Sequence, residues 1–295
     1  MTRRTAFVGL GRMGLPMAKR LLAVDDDYAV YDTYAGARDE ATRQGLPVAS
    51  SLSEAVDGAD LVFVSLPTPA VVDEVIRGEG GVFDHLAGGA VVVDLSTSPP
   101  QTARELAAEG LTSGIRVVDA PVSGGPPRAA DGTLTIMVGA EPAAYTATAA
   151  HLELMGSRVL HMGAPGAGQA TKLCNNLLVG IIMTGVAEAV TLAEAESLDL
   201  AQLFEVLSTS TADSSVLRRR FPVAGVVADA PASHGFSAQF PIALMHKDLV
   251  LAADAAAVHD LMLPVTDLTR ARYREALEDG IGELDYSAIK RLYRI

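Results

Sequence analysis

Short apolar runs alternate with amphipathic stretches through the first half of the chain. Five of these runs have the length and composition of buried strands: Thr5–Val8, Tyr28–Tyr31, Leu61–Ser65, Val91–Asp94 and Arg116–Asp119. The stretches between them predict helices over Met13–Ala23, Ala35–Gln44, Ala70–Ile76 and Pro100–Ala108. Such alternation is typical of a parallel sheet that is covered by helices on both faces. Two more strands, Leu134–Val138 and Arg158–His161, are predicted around a helix that begins near Pro142.

The pattern changes at a glycine-rich junction, Gly163–Gly168, and the chain beyond it is predicted to be helical. The run Gln169–Ser197 has no proline and no cluster of turn residues, so it predicts one helix roughly 40 Å long. A small domain cannot cover such a helix alone, so we expect it to reach a second domain or subunit. The pattern therefore predicts an α/β domain over residues 1–163 and an all-α domain over residues 164–295.

Composition and charge exclude some classes of partner. A hydrophobic content of 49% supports a sizeable core in each domain. The net charge of −13 argues against nucleic acid, because contacts with phosphate supply most of that affinity. The single cysteine, Cys174, cannot form an internal disulfide, and the sequence has neither a signal-like segment nor an uninterrupted apolar run of about 18 residues. We therefore expect a cytoplasmic protein with no membrane partner.

Three glycines follow the first predicted strand and open the first predicted helix. Gly9 allows a tight turn, Gly11 lets a pyrophosphate approach the backbone, and Gly14 lets helix and strand pack closely. A purely structural turn is the alternative, but the strand, the helix and a downstream acid all lie where a dinucleotide site needs them. The residues predicted to contact the cofactor here are Gly9, Leu10, Gly11, Arg12, Met13 and Gly14.

Asp32 is that downstream acid, at the end of the second predicted strand. An acid at this place hydrogen-bonds the ribose hydroxyls of NAD, whereas NADP needs a basic or small polar residue for its 2′-phosphate. Thr33 and Tyr34 follow, so no arginine is adjacent in sequence. NAD is therefore the predicted cofactor and NADP the less favoured one. The alternative role for Asp32 is that of a turn residue.

Further cofactor contacts are predicted where later strands end, because ligands bind at the carboxyl ends of strands in such sheets. Leu66 and Pro67 follow the third predicted strand, and Ser96 and Thr97 follow the fourth. Either Ser96 or Thr97 could instead cap the helix that begins near Pro99.

Ser123, Gly124 and Gly125 follow the fifth strand and are predicted to bind the substrate. The serine offers a hydroxyl, and the glycines expose backbone N–H groups to a carboxylate without obstruction by side chains. A glycine-rich connector is the alternative.

Lys172 lies in the first turns of the long helix, and Asn175 and Asn176 share its face at positions i+3 and i+4. Leu173 and the apolar residues after Asn176 indicate partial burial, although an exposed helical lysine is the common alternative. A catalytic lysine must lose its proton near neutral pH, and burial or a second cation favours that loss. Lys247 could be that cation, held by Asp248; a solvated helical pair is the alternative.

Taken together, these motifs resemble the β-hydroxyacid dehydrogenase family, which includes 3-hydroxyisobutyrate dehydrogenase and tartronate semialdehyde reductase. The resemblance covers nearly the whole chain, in family order. It is carried by Phe7–Lys19, Asp119–Gly125, Gly132–Gly139, Gly166–Asn176 and Lys247–Leu249.

The resemblance implies a Rossmann domain followed by a helical domain, with the active site between them. It implies that Lys172 is the catalytic acid or base, that Ser123–Gly125 binds the substrate, and that Asn176 and Asn175 orient it. Lys247 and Asp248 match a segment near the cofactor and the reacting groups. Phe240 matches an aromatic residue that lines the active site of some members. Leu66, Pro67 and Thr97 match cofactor contacts.

The expected reaction is hydride transfer between NAD(P) and a short β-hydroxy acid or its semialdehyde. Pro126-Pro127-Arg128 departs from the 3-hydroxyisobutyrate dehydrogenases and is closer to tartronate semialdehyde reductases, which leaves tartronate semialdehyde or glyoxylate reduction as an alternative. Imine reductases usually lack the lysine, and a non-enzymatic binding module would not need it, so Lys172 argues against both.

A homodimer or homotetramer is predicted from the long helix. Its apolar surface is wider than one neighbouring helix needs. The family resemblance implies the same assembly, and closed symmetry favours a two-fold interface.

Overall fold

A computed structural model describes residues 4–22 and 27–293. The chain forms two compact units, residues 1–172 and 173–295. The first helix ends at Leu21, so the predicted end at Ala23 lies outside the described residues.

The first unit is a sheet with helices, and its first five strands are the five that the apolar runs predict. The strands are β1 (Arg4–Val8), β2 (Asp27–Tyr31), β3 (Leu61–Val64), β4 (Val91–Asp94), β5 (Arg116–Asp119), β6 (Val122–Ser123), β7 (Leu134–Gly139) and β8 (Gly156–Gly163). The helices are α1 (Gly14–Leu21), α2 (Ala35–Arg43), α3 (Leu52–Val56), α4 (Pro69–Arg77), α5 (Val82–His85), α6 (Pro100–Thr112), α7 (Gly125–Asp131) and α8 (Pro142–Met155). The predicted α/β class is therefore confirmed.

The strand order is β2-β1-β3-β4-β5-β7-β6, with β8 beside β7. Strands β1 to β5 are all parallel, as predicted. Beyond these five strands the sheet is mixed, because β7 runs antiparallel to both β5 and β6. The chain between β6 and β7 contains only the short helix α7, whereas a parallel return needs a crossover of about a dozen residues or more.

Alternate residues of each strand point to opposite sides of the sheet, and strands β1, β3 and β4 are buried on both sides. Phe7 and Phe63 stack on one face, where their ring centroids are 6.1 Å apart. Ala6, Val8 and Val62 belong to the core on the other face. The double burial fixes the register of the strands, and with it the positions of the loops at their carboxyl ends.

The second unit is helical. It comprises most of α9 (Ala167–Ala195), then α10 (Leu200–Thr209), α11 (Ser215–Arg220), α12 (Ile242–Ala257) and α13 (Pro264–Glu278), with short 3₁₀ helices at Pro231–His234 and Tyr286–Leu292. Its core joins Met183, Ala187 and Val190 of α9 to Met245 of α12 and Tyr273 of α13.

Helix α9 is long and apolar enough to cross a membrane by composition, with a mean hydropathy of 1.7 over its best window. The sequence has no uninterrupted apolar run of that length. The mean hydropathy is nevertheless high, because the few polar residues are averaged with many apolar ones. Met183, Ala187 and Val190 of this helix are nevertheless buried in the core of the second unit. Burial of this kind is typical of the central helix of a globular unit.

Candidate active site

The glycine turn after β1 has the geometry that the sequence predicts. A Cβ added to Gly9, whose φ is +96°, would lie 2.2 Å from the carbonyl oxygen of Ser65, and one added to Gly14 would lie 1.8 Å from that of Gly9. A Cβ on Gly11 would meet no protein atom within 4 Å. Gly9 and Gly14 are therefore required by packing, whereas Gly11 leaves open the space that a phosphate needs. These residues fit a dinucleotide.

Asp32 is bound into the same turn. Its carboxylate accepts hydrogen bonds from the backbone N–H of Leu10 at 2.7 Å and of Tyr34 at 2.8 Å. The bond to Tyr34, two residues on, is a turn contact, so the turn role is real, but the bond to Leu10 also ties the acid to the glycine segment. Asp32 thus lies beside the turn where a ribose is expected.

Arg38 of α2 also lies at this corner and was missed by the sequence analysis. Its Nη1 donates to the carbonyl oxygens of Asp32 at 2.6 Å and Thr33 at 2.9 Å. No arginine is adjacent to Asp32 in sequence, as the sequence analysis states, but the fold brings Arg38 to the backbone of Asp32. Arg38 is six residues beyond Asp32, in the first turn of the helix that follows the strand. That spacing could have indicated that the arginine lies near the end of the strand.

The loops after β3 and β4 are joined through Ser96. The hydroxyl of Ser96 accepts a hydrogen bond from the N–H of Leu66 at 2.9 Å. Pro67 is exposed and Thr97 is half-buried. Pro99 is the residue that precedes α6, and no side chain caps that helix, so the capping role for Ser96 or Thr97 is wrong.

The substrate loop and Lys172 are brought together. Gly124 and Gly125 have φ values of +144° and +75°, which residues with side chains rarely adopt. The Nζ of Lys172 donates to the carbonyl oxygen of Val122 at 2.9 Å, next to Ser123. Lys172 is only 8% exposed, so the exposed-lysine alternative is wrong.

In the second unit, Asp248 contacts two of the predicted site residues. Its side chain is 2% exposed; one carboxylate oxygen accepts a hydrogen bond from the Asn176 amide and the other lies 3.3 Å from the Nζ of Lys247. Asn175 is exposed and donates to the side-chain oxygen of Asn176 at 2.8 Å. Asp248 is therefore buried and not solvated, and Lys247 lies within ion-pair distance of it.

Phe240 is placed separately, in the segment before α12. Its ring meets the edge of Tyr286 at a centroid distance of 6.0 Å, and its backbone N–H donates to Asp285.

Within residues 4–22 and 27–293, no group of three or more His, Cys, Asp or Glu side chains is arranged to hold a metal ion. The first unit instead presents the glycine turn with Asp32, and, separately, the loop Ser123–Gly125 with a buried lysine beside it. A largely parallel sheet with such groups after the carboxyl ends of its strands is typical of a dinucleotide-dependent oxidoreductase.

Comparisons with known proteins agree with this class. The family model for the NAD-binding domain of 6-phosphogluconate dehydrogenase matches residues 4–163, and that for the NAD-binding domain of NADP-dependent 3-hydroxyisobutyrate dehydrogenase matches residues 166–293. An NAD-dependent L-serine dehydrogenase of Pseudomonas aeruginosa is 38% identical, with 99% of this chain and 98% of that protein aligned. A 3-hydroxyisobutyrate dehydrogenase of the same species is also 38% identical, over 98% of both chains.

A solved structure of Mycobacterium tuberculosis 3-hydroxyisobutyrate dehydrogenase with L-serine superposes with a TM-score of 0.92 at 36% identity, over 100% of both chains. The chain belongs to the β-hydroxyacid dehydrogenase family. It is an NAD(P)-dependent oxidoreductase that acts on the CH–OH group of a small hydroxy acid.

Proposed function

We propose that this enzyme oxidises L-serine or 3-hydroxyisobutyrate with NAD and that Lys172 is its general acid and base. The observation that carries this proposal is the buried Lys172 amine, hydrogen-bonded to Val122 beside the loop Ser123–Gly125. The substrate class is supported by relatives that are named for these two hydroxy acids. Both compounds carry a carboxylate two bonds from the carbon that bears the hydroxyl.

The loop would hold that carboxylate. Ser123 offers its hydroxyl, and the glycines leave the backbone N–H groups open because no side chain covers them. Lys172 lies next to the loop, so its amine is placed to take the proton from the substrate hydroxyl, while bound nicotinamide supplies the hydride acceptor. In reduction the lysine returns the proton.

Asn176, one helical turn beyond Lys172, would orient the substrate, and Asn175 would support it. The buried carboxylate of Asp248 fixes the amide of Asn176, because an amide with one donor engaged can present its remaining groups in only a few directions. Lys247 and Phe240 are proposed to complete the surroundings of the cofactor and substrate.

A substrate panel tests this function. The purified enzyme would be assayed with L-serine, 3-hydroxyisobutyrate, glycerate and tartronate semialdehyde, each with NAD or NADP in the matching redox form. We expect the highest kcat/KM for L-serine or 3-hydroxyisobutyrate with NAD. Preference for tartronate semialdehyde or glycerate would instead support the reductase alternative, which Pro127-Arg128 favours. No turnover of any compound would contradict the proposal.

The cofactor preference gives a separate prediction. Asp32 repels a 2′-phosphate, so the wild type should prefer NAD, and Asp32→Ser should shift the ratio of kcat/KM values toward NADP by roughly tenfold or more. Arg38, which is bonded to the backbone carbonyl at this position, would stay in place to attract the phosphate. The control is Asp39→Ser, an exposed acid on α2, which should leave the ratio unchanged. Equal kcat/KM for both cofactors in the wild type would count against this role of Asp32.

We also infer a homodimer, or a tetramer built from dimers, in the cytoplasm. A groove of about 620 Å³ lies between α9 and α13 in the second unit, with Ile181, Val265 and Leu268 among its lining. It also carries charges of both signs, including Glu188 and Arg272, which can pair across a two-fold contact. Leu268 is 72% exposed, so a second copy of this chain would cover apolar surface that is otherwise exposed to solvent.

Sedimentation tests the assembly. We expect the wild type to sediment as a dimer or tetramer and Leu268→Lys to shift it toward the monomer, because burial of an unpaired charge in an interface is costly. Leu111→Lys is the matched control, since Leu111 is 65% exposed on α6 of the first unit. A wild-type mass near 30.6 kDa at micromolar concentration would rule out the oligomer.

A further inference from the structure

Asp119, at the end of β5, binds the beginning of helix α9. Its side chain is 1% exposed, and its two carboxylate oxygens accept hydrogen bonds from the N–H groups of Gly166 at 2.7 Å and Gln169 at 2.8 Å. Gly166 immediately precedes α9 and Gln169 lies in its first turn, where the helix itself provides no acceptors for N–H groups. A strand residue therefore caps a helix that begins almost fifty positions later.

Gln169 adds a second attachment at the same place. This residue is fully buried, and its side chain accepts a hydrogen bond from the N–H of Ser98 at 3.0 Å and donates to the carbonyl oxygen of Ser96 at 2.9 Å. The first turn of α9 is thus bonded both to the end of β5 and to the segment after β4.

The surrounding backbone leaves space for this carboxylate and for little else. A Cβ on Gly139 would lie 2.4 Å from one oxygen of Asp119, and a Cβ on Gly168 would lie 2.9 Å from the other. Glycine at both positions lets β7 and α9 approach the carboxylate, so any change in the length or shape of the acid must move the helix.

Lys172 is three residues beyond Gln169, in the next part of α9, and its amine is bonded to Val122. Val122 is itself three residues beyond Asp119. The lysine is therefore three residues from Gln169, and the substrate loop begins three residues from Asp119. Both are thus linked over a short stretch of chain to the same hydrogen bond.

We propose that Asp119 is a positioning residue that sets the Lys172 amine against the loop Val122–Gly125 by capping the helix that carries the lysine. This inference rests on the proposed function of Lys172. Asp119 acts through α9 and is not placed in contact with substrate. Small displacements of a reacting group have large effects on rate, so this attachment matters more for turnover than for cofactor affinity.

The charge of Asp119 is consistent with this role. Burial, with a smaller contribution from Asp94 on β4, raises its pKa from the ordinary 3.8 to about 6, although the bonds from Gly166 and Gln169 oppose the rise. Because the folded pKa is higher than the unfolded one, ionisation of this group lowers stability as the pH rises from 3.8 to about 6. At neutral pH the chain keeps a buried charge at a cost in stability, and both helix N–H groups retain their acceptor.

The variant Asp119→Asn tests the proposal, because it keeps the shape but turns one acceptor into a donor that faces an N–H. We expect kcat to fall by roughly 10- to 100-fold, with the KM for NAD changed by less than about twofold. We also expect the NMR shift of the Lys172 Cε to move, a readout that does not depend on turnover. If Asp119→Asn does not fold, Gln169→Met, which removes only the bonds to Ser96 and Ser98, should move the same signal and lower kcat.

Val62→Ala is the matched control, since Val62 is buried in β3 and its truncation lowers stability without touching α9. It should leave both kcat and the Lys172 signal near the wild type. The proposal is overturned if Asp119→Asn keeps wild-type kcat, if the Lys172 signal does not move, or if Val62→Ala loses as much kcat at equal thermal stability. Absence of all dehydrogenase activity in the wild type would instead defeat the proposed function, and the Lys172 signal would still decide the positioning.

Discussion

Lys172→Ala is expected to lower kcat by about 10²–10⁴-fold, the usual contribution of a general acid or base. The dissociation constant for NAD should change by less than about twofold, because the amine is bonded to the substrate loop through Val122 and acts on the proton of the substrate. Steady-state kinetics and cofactor titration measure the two effects separately.

Lys172→Arg is the informative companion of that variant. Arginine can still donate a hydrogen bond to Val122, but it does not release a proton near neutral pH. We therefore expect it to fold like the wild type and to be nearly as inactive as the alanine variant. Turnover of about half the wild-type rate in either variant would contradict the role of Lys172 as acid and base.

Alanine at Gly11 and at Gly14 should both abolish most cofactor binding, but for different reasons. A Cβ on Gly11 meets no protein atom within 4 Å, so Gly11→Ala should fold normally and fill only the space left for the phosphates. A Cβ on Gly14 would lie 1.8 Å from the carbonyl oxygen of Gly9, so Gly14→Ala must push α1 away from β1. We expect both to weaken NAD binding by roughly tenfold or more, a loss of at least about 1.4 kcal/mol.

Thermal denaturation separates the two variants. Gly11→Ala should melt within a few degrees of the wild type, whereas Gly14→Ala should melt clearly lower, because a backbone clash in the core destabilises the fold. Gly45→Ala is the control for destabilisation outside the site. Gly45 has a positive φ, so alanine there should lower the melting temperature without weakening NAD binding. Full NAD affinity in Gly11→Ala would show that the cofactor does not approach the turn at that residue.

The parallel part of the fold could be predicted because its strands are buried on both faces and so are continuous apolar runs. The edge formed by β6 and β7 could not, since β6 has only two residues and α7 begins with Gly125 and two prolines, which give no helical periodicity. The direction of β7 depends on the length of that connection, and the strand pattern does not encode it.

The candidate site was predicted where its residues are close in sequence. The glycine turn and the group formed by Lys172, Asn175 and Asn176 are local patterns with known spacing. The bonds from Asp119 to Gly166 and from Asp248 to Asn176 join residues that are far apart in the chain. The sequence shows that these acids are present but not which helix they hold, so Asp119 was seen as part of a motif and not as a cap.

The most direct test of the account is the transfer of deuterium from substrate to cofactor. L-serine and 3-hydroxyisobutyrate, each deuterated at the carbon that bears the hydroxyl, would be incubated with the enzyme and NAD, and the reduced cofactor analysed by mass spectrometry. The account predicts reduced cofactor that carries the deuterium with the wild type, formed more slowly than from unlabelled substrate, and almost none with Lys172→Ala. Reduced cofactor without deuterium, or none from either compound, would contradict it.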